Sequence, residues 1–458
     1  MVVEAGTEYS ARIEDMALPA CHGVARLGGL VVFVPGGVTG DRVRIRIART
    51  ERRFAYGEVV AVEEASALRE APACAYFGAC GGCDLQMLAY DAQLKLKENH
   101  LGQTLGRIGG QDTAGVKIAP IVPSAGTPSY RGKIELSFGE AGGRLFVGLA
   151  GRSSPFSPHA GRIVPIDGCL LFGPVAGRLL PIIVEALRGA GLTVYDERTG
   201  KGALKRLVLR EAKGTGEVMV HVAAASDASR ALAPLKAALA ASVPQVVSVY
   251  TTSGSATRLL WGKPAIEERL SGFSFRIYPR TFFQPNPATA ALLCERLAAM
   301  PWVGQARRIL GLYCGVGPIE IVLARLLPRA SVTGVDSDGE NIACAEENAA
   351  LNGADNCRFI KERAEKAARL AEGKTDLLVI DPPRRGLSSE ALGAILSVRP
   401  ERIAYVSCNP ATLARDLKAM GRTYKAREVV PFDFFPQTAH VEALALLERI
   451  APRREASR

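Results

Sequence analysis

The sequence lacks any unbroken apolar run long enough to cross a bilayer: its longest such stretch, LLFGPVAGRLLPIIVEALRGAGL, is interrupted by Arg178, Pro181 and Glu185. The opening residues, MVVEAGTEYSARIEDMA, carry acids and have no apolar core of the signal-peptide kind. No internal repeat stands out. These absences predict a cytoplasmic protein without a membrane segment. In that compartment the ten cysteines read as thiols or metal ligands rather than disulfides.

What is present is a chain of 458 residues, too long for one ordinary core and suited to about three domains. Lysines and arginines number 57 against 46 acids, a net charge of +11. That excess suits a partner rich in phosphate, and equally a basic enzyme's solvated surface.

Residues 1–64 show short strands broken by glycine turns, the rhythm of a small barrel. In DRVRIRIA, Val43, Ile45 and Ile47 share one face and Arg42, Arg44 and Arg46 the other, because side chains alternate along a strand. Arg49, Arg52 and Arg53, followed by Phe54, extend this basic surface, and contact with RNA is expected there. Residues 65–280 begin with a cysteine loop and a helix over 91–109, then return to strand and hairpin signals interrupted by the alanine-rich helix ALAPLKAALAAS. Over 281–458 strand and helix alternate strictly, which implies a doubly wound parallel sheet with ligands at the carboxyl ends of its strands.

The first of those strands runs into GLYCGVGPIE, where Gly315 and Gly317 let the backbone turn tightly beside a ligand. Asp336 closes the second strand 19 residues after Gly317, where an acid binds the hydroxyls of an adenosine ribose. The pair indicates NAD or S-adenosylmethionine. In DLLVIDPPRRG, two prolines stiffen the turn after Asp381 and aim its carboxylate into the cleft, which favours the methyl donor.

In YVSCNPATLARD, Pro410 suits a first helical position, so Cys408 lies just outside a helix N-terminus, a place expected to favour a thiolate. A thiolate beside a methyl donor has a definite use. Carbon 5 of uracil is a poor nucleophile until sulfur adds to carbon 6, after which a base must remove the proton from carbon 5. Glu442, with His440 nearby, opens what reads as the last strand and is the candidate base. Taken singly, Cys408 reads as a buried thiol and Glu442 as a surface acid; the DPP turn tips both toward catalysis.

Cys74, Cys80 and Cys83 form a C-x5-C-x2-C pattern in a glycine-rich loop. Cys169 is the best remaining fourth ligand, since the other cysteines lie in the barrel or the cofactor half. Four thiolates suit zinc or an iron-sulfur cluster, and spacing does not separate the two.

With these residues in view, the chain resembles the RNA uracil-5-methyltransferase family, particularly its 23S ribosomal RNA branch, over nearly its whole length. SCNPATLARD is the most specific match. The resemblance implies an N-terminal TRAM domain of OB-like barrel form over 1–64, a central β-rich iron-sulfur and RNA-binding domain over 65–280, and a class I, Rossmann-like methyltransferase domain over 281–458. It implies Cys408 as nucleophile, Glu442 as base, and a four-iron four-sulfur cluster on Cys74, Cys80, Cys83 and Cys169. Gln284, Tyr313, Gly315, Gly317, Asp336 and Asp381 fall where the family binds S-adenosylmethionine. It also suggests that the helix near 91–109 packs on the catalytic domain, and a monomer acting on RNA. Two positions depart from the pattern: the family has an acid at Gly311 and asparagine at Pro318. Arg363 is the nearest match to the family's polar contact after the third strand. Transfer RNA uracil-5 methylation, RNA cytosine-5 methylation and a non-catalytic iron-sulfur RNA-binding module are the competing readings, the last motivated by Gly311 and Pro318.

Overall fold

The structure is a computed structural model that describes residues 3–110, 113, 115–152, 158–370 and 375–450. The chain divides into two compact units. One comprises Met1–Leu101, Ala150–Arg162 and Phe435–His440; the other comprises Gly102–Leu149, Ile163–Phe434 and Val441–Arg458.

In the first unit a six-stranded sheet is built from Glu8–Arg12, Arg42–Thr50, Phe54–Glu64, Leu30–Pro35, His22–Leu27 and Asp15–Ala17, in that spatial order. Strict alternation in Arg42–Thr50 buries Val43, Ile45 and Ile47 in the sheet's core, each removal from water stabilising by roughly 1.5–3 kcal/mol. Arg42, Arg44 and Arg46 face solvent as expected, but not as free cations. Glu63 lies 3.7 Å from Arg42, and Glu8 lies 3.6 Å from Arg44 and 2.6 Å from Arg46. Arg49 pairs with Glu51. Arg52 and Arg53 are exposed and, among the described residues, form no ion pair. A second small core gathers Met16, Cys21, Leu85, Met87 and Leu88.

The helix expected over 91–109 is Tyr90–Thr104 followed by a π-helical turn, Leu105–Gly109. That turn packs on the helix Pro410–Met420 within the second unit.

The second unit holds a seven-stranded mixed sheet and an eight-stranded one. The larger follows the order Cys357–Lys361, Ser331–Asp336, Arg308–Leu312, Leu377–Ile380, Arg402–Ser407, Glu442–Arg449, Tyr424–Phe432, Lys117–Ile118. Its first five strands are parallel, and Glu442–Arg449 enters antiparallel beside Arg402–Ser407. The order reverses between Arg308–Leu312 and Leu377–Ile380, so the strand ends open a crevice there, the usual ligand position of a doubly wound sheet. The expected Rossmann-like domain is therefore present.

The stretch before it contains a helix that the strand-and-hairpin reading omits, Pro174–Gly189. Its proline at the first position is compatible with a helix start, while Pro181 inside masks the pattern. Leu179, Leu180, Ile183 and Leu187 are buried, as an amphipathic stripe requires. Among the described residues no helix is long and apolar enough to cross a membrane.

Candidate active site

The central strand Arg308–Leu312 ends in Tyr313, whose φ of 63° is positive, and turns through Gly315 and Gly317 into the helix Pro318–Leu326. Gly317 has φ 80°, and a Cβ there would come within 2.5 Å of the Phe359 ring, so no side chain fits. Gly315 N donates to Asp336 Oδ2 at 3.0 Å, which ties the loop to the acid ending the neighbouring strand. The cleft above these strand ends encloses about 580 Å³, counting its open mouth, and Gln284, Tyr313, Gly315 and Asp381 lie on its wall. Gln284 Nε2 donates to Asp381 Oδ2 at 3.1 Å. Gly317 does not line it, and Asp336 adjoins it through its bond to Gly315. Arg363 is exposed, pairs with Glu365 at 3.3 Å and does not line the cleft.

The loop carrying Gln284 is held from both sides. Arg210, buried on the seven-stranded sheet, donates to Thr281 O at 2.6 Å, and Phe282 N donates to Asn341 Oδ1 at 3.1 Å. Phe282 itself remains 56% exposed at the cleft, with its ring 3.6 Å from where a Gly315 Cβ would stand. Sequence reasoning passed over Phe282; its signal was an unexplained aromatic pair before Gln284.

Cys408 ends the strand Arg402–Ser407 and precedes the helix Pro410–Met420, capped by Asn409, whose Oδ1 accepts Ala411 N at 3.0 Å. Ser407 pairs with Ala443 across the antiparallel register, and Cys408 and Glu442 are the next residues beyond that pair, close enough for the Glu442 charge to act on the thiol. Asn409 Nδ2 donates to Arg384 O at 3.1 Å. Arg415 Nη2 donates to Arg385 O at 3.0 Å, and Leu387 N donates to Asp416 Oδ2 at 2.9 Å. Asp416 Oδ2 also accepts the Tyr405 hydroxyl at 2.7 Å. The polar letters of NPATLARD thus clamp the DPPRRG turn, which sets Asp381 beside the thiol. None of this cross-linking was read from the motif.

The expectation of a thiolate at Cys408 is corrected. Burial, then the charges of Glu442 and Asp381, push the thiol up to about 11, outweighing Arg384, which acts in the other direction. Glu442 is 3% exposed; burial, then Asp381, hold its carboxyl well above the usual range. Burial raises Asp381 to about 7 against the Gln284 hydrogen bond. Two carboxyls and a thiol therefore compete for few charges, with Arg384 as a cation felt by both Cys408 and Glu442.

In the first unit, Cys74, Cys80 and Cys83 are half-buried. Cys80 Sγ accepts Gly82 N–H at 3.4 Å. Cys169 belongs to the second unit, where its carbonyl accepts Gly173 N at 2.9 Å. Among the described residues no three cysteine, histidine or carboxylate side chains gather closely enough to hold a metal ion, so the expected ligand set is not assembled as one. The loop does carry surplus donors. Gln86 accepts Cys74 N at 3.1 Å while its Nε2 is buried without a partner, and Arg152 donates to Cys83 O at 2.9 Å while its Nε is likewise orphaned. Buried donors of this kind suit a multi-atom anionic group that brings its own acceptors better than a bare ion.

Comparison with known proteins accords with this geometry. The family described as tRNA (Uracil-5-)-methyltransferase matches residues 225–450, and the TRAM domain matches residues 2–60. An uncharacterized RNA methyltransferase of Caldanaerobacter subterraneus subsp. tengcongensis is 34% identical over 98% of this chain and 99% of its own. The chain belongs to the RNA uracil-5-methyltransferase family. Another relative in this family, from Gloeobacter violaceus, is 35% identical over 93% of each chain. The tRNA (uracil-54, C5)-methyltransferase of Pyrococcus abyssi, solved with S-adenosyl-L-homocysteine, superposes with a TM-score of 0.71 at 28% identity, over 96% of this chain and 99% of its own. A uracil-5-methyltransferase uses S-adenosylmethionine, and the cleft at the strand ends is where this fold takes it.

Proposed function

We propose that this methyltransferase forms 5-methyluridine in 23S ribosomal RNA through a transient bond between Cys408 and carbon 6 of the target uracil. The observation that carries the reading is a half-buried thiol just past the Ser407–Ala443 pair, within reach of the charges of buried Glu442 and of Asp381, which lines the donor cleft. Arg384 favours loss of the thiol proton, which passes to solvent from the half-buried Cys408. Sγ then bonds to carbon 6, and the electron pair of the ring double bond moves onto the carbonyl oxygen of carbon 4. Gln284, Tyr313, Gly315, Gly317, Asp336 and Asp381 would hold S-adenosylmethionine, which would supply a methyl group to carbon 5 as its sulfonium–methyl bond breaks and S-adenosylhomocysteine leaves. Glu442 takes the proton from carbon 5; the ring double bond re-forms as sulfur leaves carbon 6. Buried and raised, Glu442 is a strong base once ionised.

The reading includes an iron-sulfur cluster at the loop of Cys74, Cys80 and Cys83, supported by their C-x5-C-x2-C spacing and by the orphaned donors of Gln86 and Arg152 in the same unit. Its part would be to cross-link the loop. No chemical step depends on it, and iron content with visible absorbance of anaerobically purified protein tests it.

A transfer RNA substrate is the second reading, favoured by the likeness to the Pyrococcus abyssi tRNA (uracil-54, C5)-methyltransferase. Unmodified 23S ribosomal RNA and transfer RNA, incubated with enzyme and donor and digested for mass spectrometry, separate the two and show which pyrimidine gained the methyl group. RNA bearing 5-fluorouridine should trap a covalent complex on Cys408, because fluorine cannot leave as a cation. Absence of that complex with a wild-type enzyme that methylates RNA would remove Cys408 from the role.

A further inference from the structure

One group on the cleft wall has no task in the chemistry above. Glu320, in the first turn of the helix Pro318–Leu326, is 3% exposed and lines the cleft together with Gln284 and Asp381. Its Oε2 is buried and has no hydrogen-bond partner among the described residues. A Cβ placed on Gly311 would lie 2.0 Å from Glu320 Oε1 and 2.8 Å from its Cδ. The carboxylate therefore occupies the space into which a side chain at position 311 would grow. Glycine on the strand admits an acid from the helix.

The titratable groups whose charges couple to Glu320 are Asp381, Asp336, and the thiols of Cys294, Cys314 and Cys357, drawn from two strands, a helix and the loops around it. All are acids. Burial, with Asp381 and Asp336 adding to it, lifts Glu320 to about 8. A buried carboxylate in such company is costly unless a cation or a strong donor completes it.

We propose that Glu320 binds the α-ammonium group of the methyl donor, supplying from the helix the carboxylate that the strand lacks at Gly311. This deepens the reading above only in its use of S-adenosylmethionine and is independent of the RNA. The donor's chemistry selects the ammonium. Its sulfonium carries no hydrogen to donate, its own carboxylate is repelled by Glu320, and its ribose hydroxyls fall to Asp336 at the neighbouring strand end. An ammonium N–H bonded to a carboxylate in a dry wall is a strong, charge-assisted contact.

Calorimetric titration of the full chain with two ligands tests this. S-adenosylhomocysteine keeps the ammonium, whereas 5′-methylthioadenosine keeps the adenosine and thioether and lacks the amino-acid end. Glu320→Gln should weaken S-adenosylhomocysteine about tenfold to a hundredfold and leave 5′-methylthioadenosine within about twofold. Equal weakening of both ligands, or no weakening of the first, overturns the proposal. Gly311→Asp combined with Glu320→Ala serves if Glu320→Gln does not fold, because it returns a carboxylate to the same space from the strand. It should bind S-adenosylhomocysteine within about fivefold of wild type; loss beyond about a hundredfold with 5′-methylthioadenosine binding intact also overturns the proposal. Since no RNA enters, an enzyme that passes these tests yet forms no adduct with 5-fluorouridine would sink the uracil reading alone.

Discussion

The side-chain amide of Asn409 donates to the backbone carbonyl of Arg384 at 3.1 Å while its oxygen caps the helix at Ala411 N. One residue thus fixes the helix behind the thiol and the turn that carries Asp381.

Substituting Asn409 separates these duties. Asn409→Ala should lower stability by about 1 kcal/mol in denaturant melts through the lost cap, with a larger loss of methylation. Asn409→Asp keeps the cap acceptor and loses the donor to Arg384. Near-wild-type melting with methylation reduced more than about tenfold is expected, a drop that corresponds to about 1.4 kcal/mol of lost transition-state stabilisation. Full activity in Asn409→Asp would show the turn to be held by other bonds.

The Cys408 thiol should react slowly at neutral pH. With the group at about 11, roughly one molecule in a thousand carries a thiolate at pH 8. Iodoacetamide labelling of the Cys408 peptide, followed by mass spectrometry, should accelerate with pH well beyond 9. Glu442→Gln removes a charge that raises the thiol and should speed labelling at a given pH; Arg384→Met should slow it. Opposite shifts would mean that the two side chains act on Cys408 through packing.

Stability of the protein without donor should fall as pH rises. Glu320 titrates at about 8 in the fold against 4.5 in its ordinary state, so the folded chain binds the extra proton between those values. The stabilisation is complete below about 4.5 and is lost as pH climbs through about 8, on the order of 5 kcal/mol in all. Denaturant midpoints measured from pH 5 to 9 should show the decline, and Glu320→Gln should flatten it. An unchanged slope in that variant would assign the linkage to other groups.

RNA affinity should depend more on Arg52 and Arg53 than on the arginine strand. Arg42, Arg44 and Arg46 share two glutamates, and breaking those pairs offsets what a phosphate would contribute. Beside Arg53, Phe54 packs its ring 5.7 Å from Phe33 and 5.5 Å from Tyr56, a half-buried aromatic group of the kind on which bases stack. Replacing Arg52 and Arg53 together by alanine should weaken RNA binding and reduce the log–log salt slope by about 1.4, whereas Arg44→Ala should leave the slope nearly unchanged.

Much of the catalytic half was legible because strand and helix alternate there with clean periodicity, and strand ends in such a sheet are where ligands bind. Gly315, Asp336 and Asp381 could be placed that way, and Glu442 proved to open the last strand. What escaped depends on contacts between distant positions. The Gly311 departure reads as a missing acid until Glu320 is seen lying over it. The raised Cys408 thiol follows from burial first and then from two carboxyls brought in by other strands, all of which a local helix-end argument omits. Arg384 looked like part of a turn and is also the cation of the site. The glutamates that neutralise the arginine strand came from Glu8–Arg12 and Phe54–Glu64, beyond the reach of a period-two pattern. Pro181 concealed a helix, since proline inside a helical pattern ordinarily argues against one.

The pairing of Ser407 with Ala443 has a further consequence for how this protein can be broken. Adjacent positions on a strand point to opposite faces, so deleting one residue within 443–449 would turn the acid away from the sulfur, while Glu442–Leu447, buried on both faces, keeps apolar side chains toward each side. Such a deletion should yield a chain that still folds and grips its donor yet stalls halfway, still bonded to its target and waiting for a proton acceptor that now faces the wrong side.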